Sequence, residues 1–524
     1  MMKAPTLLPL FLLCPWLACA AGPSLDHREF DATLFAPFRA PPSGARTFTI
    51  TLDYPQLAAP LNVTWRLALT RAGILAAEWT GQAGLHGDPV VVHVDWSGAA
   101  QPGLYTARLV AQAGASEEVQ EWDVQVGPVQ LASAPALAAP VAWPWDVYLG
   151  NLHSQTNHSD GGAPLAACHS AQPPQSAPFG PRDAWTYARA RGLDFLLASE
   201  HNHMYDGSAG TNADADPAAA IARFHSGLAA AQEFTAAHPD FLALYGLEWG
   251  VIDNGGHLNL LDGDALLGWE KGRGGALVAD TFTVRSDYAG LYTLMRARGW
   301  TGQFNHPAGT GQFAVDGVPL GYTADGDAAM ALCEVVNTNA FSSNDTETET
   351  RRSNFEGACN KALEAGYHVA FSSNQDNHCA NWGAAYTNRT GVLLPRGQPL
   401  SRAAFFDAVR ARRVFATMDK TGRLLLMANG QVMGSTFTNH GPLTLTALFA
   451  SSAGKQVASV SLMEGVPGRN GTVSKLGEAL EATFTPAPGA HFYYARVTQD
   501  DGNVLWSAPV WVMQAPSLAA HPLQ

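Results

Sequence analysis

The sequence predicts an α/β central domain flanked by two small all-β sandwich domains. Three observations carry that expectation. Helix–strand units recur through the middle of the 524-residue chain, each followed by a metal-ligand type of side chain. Before them lie runs that alternate apolar and polar residues between Gly, Pro and Asp breaks, the pattern of half-buried strands. After Thr417 the same alternation returns.

The amino terminus reads as an export signal over residues 1–20. Lys3 precedes an apolar run from Leu7 to Leu17, and Ala18-Cys19-Ala20 is a small-x-small cleavage site. The run is too short to span a bilayer, so no transmembrane segment is expected. The expectation is a periplasmic or secreted protein. Lipoprotein anchoring through Cys19 is the lesser alternative, because Trp16 and Leu17 lead poorly into a lipidation site.

Residues 40–128 hold the first set of strands, among them "TFTITLDY", "LNVTWRLAL", "VVVHVDW" and "EWDVQVG". An Ala/Pro-rich linker covers 129–146. The central domain then runs over 147–417. Pro181 opens a helix that stops at Gly192, and "LDFLLAS" follows as a strand leading into Glu200-His201. Asp216-Pro217 opens another helix, and "FLALYG" is a strand ending at Glu248. Ser286 caps a helix ended by Gly299, and "WTGQF" leads to Asn305-His306. Ser353 starts a helix ended by Gly366, and "YHVAFSS" leads to Asp376-Asn377-His378. Ser, Asp or Pro starts and Gly stops mark helices, and apolar runs between them read as buried parallel strands. Such repetition points to a parallel barrel or open sheet, with chemistry at the C-terminal strand ends. Residues 418–515 form the second sandwich, from "GRLLLMANG" to "VLWSAPVWVM". Trp122, Trp506 and Trp511 sit at strand positions, where a core role outweighs a ligand-binding one.

Composition narrows the function. Hydrophobic residues at 47% with charged residues at 15% fit a folded globular chain. A net charge of -14 argues against a nucleic-acid duplex as partner, since phosphate backbones are met by Lys/Arg surfaces. An anionic small molecule remains open if metal ions supply the positive charge. Beyond Cys14 and Cys19, four cysteines remain (Cys168, Cys333, Cys359 and Cys379), which allow two disulfides in three pairings or four buried thiols.

The polar residues at or near the strand ends form a metal-type set: His153, Asp160, His201, Glu248, His257, His306, Asp376 and His378. Imidazoles and carboxylates suit Zn, Mn or Fe and can bridge two ions. In order along the chain, "HSQTNHSDG", "SEHNH", "GLEWG", "GGHLN", "FNHP" and "QDNH" resemble the motifs of the polymerase and histidinol phosphatase (PHP) superfamily, and most its exported metallohydrolase branch. The resemblance covers about half the chain. It implies a distorted PHP-type β/α barrel between the two all-β sandwiches, holding two or three divalent ions, Zn or Mn first and Fe next. It assigns His153, Glu248 and Asp376 to one ion. Glu248, His257 and His306 would hold a second, with Glu248 bridging, and Asp160, His201 and His378 a third. Gln155 stands where a histidine of the first ion is expected, either as a weaker amide ligand or as the mark of a decayed site. Glu200 replaces an aspartate before His201.

With the ligand segments gathered at one mouth, Cys168 and Cys379 are expected to meet there, leaving Cys333 and Cys359 as the second pair. The competing reading of Cys379 as a metal ligand would add a soft thiolate to a harder set.

The function expected is an exported metal-dependent phosphoesterase that hydrolyses a phosphomono- or diester with a metal-bound hydroxide. Its substrate would be a small-molecule ester. Glu248 would act catalytically as the bridge. His158 and His203 are candidates for the proton donor, against a reading as supporting or partly exposed histidines. Arg413 could orient a phosphate, or simply pair at a helix end. The alternatives are a metal-dependent carboxylic or carbamic ester hydrolase, and a non-catalytic metal-stabilised protein whose sandwiches bind glycan or protein.

Overall fold

The computed structural model describes residues 30–516, apart from 55–58, 115, 129–142, 144, 253–254 and 309–310. The expected signal segment and nearly all of the linker lie outside these residues. Residues 31–126 form two sheets, one of three strands and one of five. The five-stranded sheet pairs Leu61–Arg71 with Ile74–Leu85 and Gly103–Ala113, and Gly103–Ala113 with Ser116–Val126, all antiparallel. Strict alternation puts Phe48, Ile50 and Leu52 of one sheet and Leu67, Leu109 and Val124 of the other into a single core.

The central region begins with β1 (Trp145–Asn151), α1 (Pro181–Ala190), β2 (Phe195–His201), α2 (Pro217–Ala237) and β3 (Leu242–Val251). It continues through β4 (Gly256–Leu260), α3 (Tyr288–Arg298), β5 (Gly302–Phe304), β6 (Met330–Thr338), α4 (Glu356–Ala365) and β7 (Ala370–Ser373). It ends with β8 (Arg389–Pro395), α5 (Arg402–Arg410) and β9 (Val414–Thr417). The helix starts follow the capping chemistry read from the sequence, with two shifts. Asp287 rather than Ser286 caps α3, its carboxylate accepting from Gly290 N at 2.9 Å. Helix α4 starts only at Glu356, because Ser353 is spent in a short strand, Arg352–Asn354, paired with β6. Gly299 and Gly366 end their helices with φ of 71° and 120°, as expected of left-handed C-caps.

The expected β/α barrel is not what these elements build. Strand accounts for 43% of the described residues and helix for only 17%, too little helix for a ring of crossovers. The strands lie in one 16-stranded mixed sheet. Steps β1–β2–β3 and β5–β6–β7 are parallel, but β3–β4, β4–β5, β1–β8 and β8–β9 are antiparallel. Among the described strands no ladder closes the sheet between β7 and β8. There the Thr390 hydroxyl takes the place of a backbone partner, accepting from Ser373 N at 3.0 Å. The sheet instead continues from β9 into the C-terminal region, through the antiparallel pairing of β9 with Val504–Ser507.

Beyond Thr417, the strands Val457–Gly465, Gly489–Gln499 and Val504–Ser507 therefore extend the central sheet, and a separate four-stranded sheet contains Gly422–Ala428 and Leu443–Ser451. Trp122, Trp506 and Trp511 are buried core residues. Trp506 Nε1 donates to Glu356 of α4 at 2.9 Å, a tie between the central and C-terminal regions.

Disulfides join Cys168 to Cys379 and Cys333 to Cys359. No helix among the described residues is long and apolar enough to cross a membrane. Both facts are compatible with an exported protein. Their sequence separations, 211 and 26 residues, predict unequal stabilities. Replacing Cys168 and Cys379 by serine should cost up to about 5 kcal/mol, and replacing Cys333 and Cys359 about 3.5 kcal/mol, from loop-closure entropy. Denaturant unfolding of the two double variants measures this. An equal or reversed order would mean that the sheet already restrains the long loop in the unfolded ensemble.

Candidate metal centre

The site lies where strands β1–β7 deliver polar residues to one end of the sheet. His153 follows β1, and the segment is pinned to the far side of the site by a parallel bridge between Ser154 and Asn377. The parallel register of β2 and β3 sets His201 directly beside Glu248. Strand β4 runs back along β3, which brings His257 opposite Gly250, two residues from Glu248. His306 follows β5, and Asp376 and His378 follow β7.

The glycine pair closing "SDGG" has a steric reason. A Cβ on Gly161 would stand 2.5 Å from the Gln155 backbone, and Gly162 has φ of 80° with Phe179 O at 2.1 Å from any added Cβ. Only glycine lets the chain double back and set Asp160 against the histidines.

Glu248 is the centre of the cluster, and it is fully buried. Oε1 lies 3.1 Å from His257 Nδ1 and 3.5 Å from His306 Nε2; Oε2 lies 3.0 Å from His153 Nε2 and 3.6 Å from His201 Nδ1. Asp160 Oδ1 stands 3.4 Å from His378 Nε2 and 3.7 Å from His201 Nε2. Asp376 Oδ1 is 3.0 Å from His153 Nε2 and 3.7 Å from His378 Nδ1.

Three trios bring one ligand atom from each member within 4.8 Å of the others: His153, Glu248 and His306; His201, Glu248 and His257; and Asp160, His201 and His378. Buried imidazole and carboxylate donors at that spacing fit a divalent cation. The last trio is the one anticipated. The other two divide the ligands differently, although Glu248 Oε1 itself faces His257 and His306, the pair anticipated with it, and Oε2 faces His153 and His201. His306 stands between the two sets, its ring centroid 5.6 Å from that of His153 and 5.5 Å from that of His257.

The electrostatics follow from packing charges where water is excluded. Burial alone would raise the Glu248 carboxyl, but His153, His257 and His201 hold it well below its ordinary value. Burial likewise opposes protonation of His378, yet Asp160 and then Asp376 lift it to about 9. His153 rises well above its usual range despite burial, because Asp376, Glu248 and Glu334 surround it. His306 and Asp376 also have positive φ, 28° and 51°, a conformation costly for residues with a Cβ and concentrated at functional sites.

Several expected roles change on inspection. Gln155 faces the cluster, but its amide nitrogen donates to Glu248 and its oxygen accepts from Ser159 Oγ at 3.0 Å. Glu200 is turned to a supporting layer, accepting from Thr156 N at 3.1 Å and Ser159 Oγ at 2.6 Å, and burial raises it to about 7. His158 belongs to the opposite face of the sheet. Its Nδ1 meets the Tyr245 hydroxyl at 2.6 Å, and Tyr245 and Glu248 alternate to opposite sides of β3. Burial, then Arg223, lower His158 to about 4, which makes it a poor proton donor. Arg413 is at the wrong end of the sheet. It precedes β9 and stacks over Trp145, the first residue of β1, whereas His153 follows the last, roughly 25 Å away along the strand. His203 stays near the cluster, its ring 5.9 Å from His201 and stacked on Trp269 at 6.0 Å.

Two contributors escaped the sequence reading. Glu334 of β6 places Oε1 3.2 Å from His153 Nδ1 and accepts from His306 N at 2.8 Å. It thereby orients one ligand's ring and holds the strained backbone of another. Asn305 Nδ2 donates to Glu248 Oε1 at 2.8 Å. The signal for Glu334 was present: a carboxylate in the apolar run "MALCEVV" needs a buried partner.

No protein-family model and no curated protein matches the chain. Among solved structures, it is similar to the CARDB domain of a Pyrococcus furiosus protein in complex with di-metal ions, at 17% identity over 20% of this chain and 93% of that one, with a TM-score of 0.16. A beta-glucosidase from Listeria innocua shares 15% identity over 19% of this chain and 16% of its own, with a TM-score of 0.15. A calcium-binding mutant of Bacteroides uniformis beta-glucuronidase 2 shares 9% over 94% of this chain and 62% of its own, with a TM-score of 0.17. Likenesses this slight carry no argument about fold or activity.

Metal ligation requires neutral imidazole, and His153 and His378 carry protons near neutral pH in the metal-free chain. Loading Zn or Mn should therefore release protons, seen as a calorimetric heat that varies with the ionisation enthalpy of the buffer. The release should fade as the pH passes about 9 for His378. A buffer-independent heat would contradict it. Glu334→Gln should weaken metal retention against a chelator by roughly 10–100-fold while the fold persists. Unchanged retention would reduce Glu334 to a core residue.

Proposed function

We propose that the protein is an exported metal-dependent phosphoesterase acting on a phosphomono- or diester, in the periplasm or outside the cell. The observation that carries this reading is the single buried carboxylate of Glu248 shared among four imidazoles, an arrangement suited to bridging neighbouring cations. The ordered resemblance to PHP metallohydrolase motifs supports ester chemistry; the barrel fold is not part of the reading.

Two or three divalent ions match the donor set, with Zn or Mn preferred and Fe next by ligand softness. When bound, such ions lower the pKa of water toward ~7 and polarise the ester oxygen. The chain's own residues do the rest. Asn305 and Gln155 donate to the two oxygens of Glu248 and fix its rotation. Glu334 fixes the ring of His153. His203, held flat against Trp269 beside His201, is the group proposed to give a proton to the leaving alkoxide.

Elemental analysis of the dialysed protein, followed by assays with bis-p-nitrophenyl phosphate and p-nitrophenyl acetate, tests the proposal. Metal-dependent turnover that favours the phosphodiester is expected. Preference for the acetate would assign the site to carboxylic esters, and no metal-dependent turnover of either would favour a binding role. Glu248→Gln should abolish nearly all turnover without unfolding the chain, because a neutral amide cannot bridge two cations. A variant that keeps more than about a tenth of the activity, a deficit of only ~1.4 kcal/mol, would remove Glu248 from its bridging role.

A further inference from the structure

A cleft opens directly against two of the cluster's residues, His306 and Asp376. Its far wall does not come from the central region. Asp31, Asp53 and Glu118, which line it, belong to the amino-terminal sandwich. The sandwich is fastened there by specific bonds: Asn354 N donates to Gln120 Oε1 at 2.7 Å, and Asn354 Nδ2 to Glu121 O at 2.9 Å. This wall is therefore a built part of the cleft rather than a loosely tethered neighbour.

Two features of the lining point to the same ligand chemistry. The first is charge. Apart from the metal-site residues, three carboxylates face one guanidinium, and Arg351 is already committed, with Nη2 2.7 Å from Asp53 and 3.8 Å from Asp31. The second is aromatic. Phe30, Phe341 and Phe355 line the same space, and the Phe341 ring stands 4.9 Å from the ring of His378. Carboxylates in excess beside aromatic rings suit an organic ammonium group, by ion pairing and, over a ring face, by attraction to the ring quadrupole. They disfavour a second phosphate or a carboxylate.

We propose that this cleft holds the leaving-group end of the substrate and selects phosphoesters whose leaving group carries an ammonium group, such as an aminoalkyl or choline-like alcohol. The inference rests on the phosphoesterase reading: the phosphoryl group goes to the metal ions, and the alcohol extends past His306 and Asp376 toward the sandwich. The amino-terminal sandwich then acts as the specificity wall of the site.

Calorimetric binding of aminoalkylphosphonates and alkylphosphonates of two to five carbons to the metal-loaded protein tests it. At the best chain length the amine should bind at least about tenfold more tightly, a difference of ~1.4 kcal/mol. Asp31→Asn and Glu118→Gln should each shrink that ratio while leaving the plain alkylphosphonate unchanged. Equal affinity, or preference for the plain or a carboxyalkyl analogue, overturns the proposal. The two readings fail separately. If no phosphonate binds, the ester reading falls, and butylamine against butanol in ligand-observed NMR decides the cleft. Binding of the amine alone, weakened by the two variants, upholds the ammonium site; equal signals for amine and alcohol overturn it.

Discussion

Burying an ionised carboxylate is costly unless charge and hydrogen bonds compensate it on every side. Glu248 meets that demand through four imidazoles and two amide donors, drawn from four separate segments between His153 and His306. Much of the central architecture serves this one group. The parallel register of β2 and β3 brings His201 to it, the reversal into β4 brings His257, and the strained turn after β5 brings His306. Supporting residues pass the constraint outward. Glu334 braces both His153 and the turn at His306, and Asn374 Nδ2 in turn donates to Glu334 at 3.0 Å.

Most of the candidate ligand set was legible in the sequence because its members stand where an apolar run gives way to polar residues, which needs only local pattern; Asp160 and His257 were legible instead through the motifs "HSDG" and "GGHLN". The flanking strands were legible for the same reason, through strict alternation. Strand direction was not. The segment "GGHLN" reads as a motif, yet it is also a strand that runs antiparallel to its neighbours on both sides, and two such reversals turn the expected barrel into an open mixed sheet. Nothing in its composition separates a buried antiparallel strand from a buried parallel one. His158 and Arg413 failed for a related reason. Nearness in sequence to ligands says nothing about which face or which end of a strand a side chain occupies, and both fall on the wrong side of that geometry. Glu334 was missed because its role depends on contact with His153, 181 residues away.

The sequence sets an amino-terminal sandwich and a linker before the central region and a second sandwich directly after it, and the central sheet runs on into the C-terminal strands through the pairing of β9 with Val504–Ser507. Glu356 illustrates the consequence at the level of single bonds. It opens α4, accepts from Trp506 and Tyr494 of the C-terminal strands, and faces Arg496, which also pairs with Asp123 of the amino-terminal sandwich. All three regions meet around that group of charges.

The bridge between Cys168 and Cys379 has a bearing on when the metal centre is completed. Its second sulfur follows His378 directly, and its first lies just past the turn that carries Asp160, so closure locks the earliest and latest ligands together. A chain emerging amino-terminus first presents His153 long before His378. It cannot form this bridge until the last ligand is out and an oxidant is at hand. Locking of the candidate site by this bridge is thereby a late event that waits on both the full central region and an oxidant.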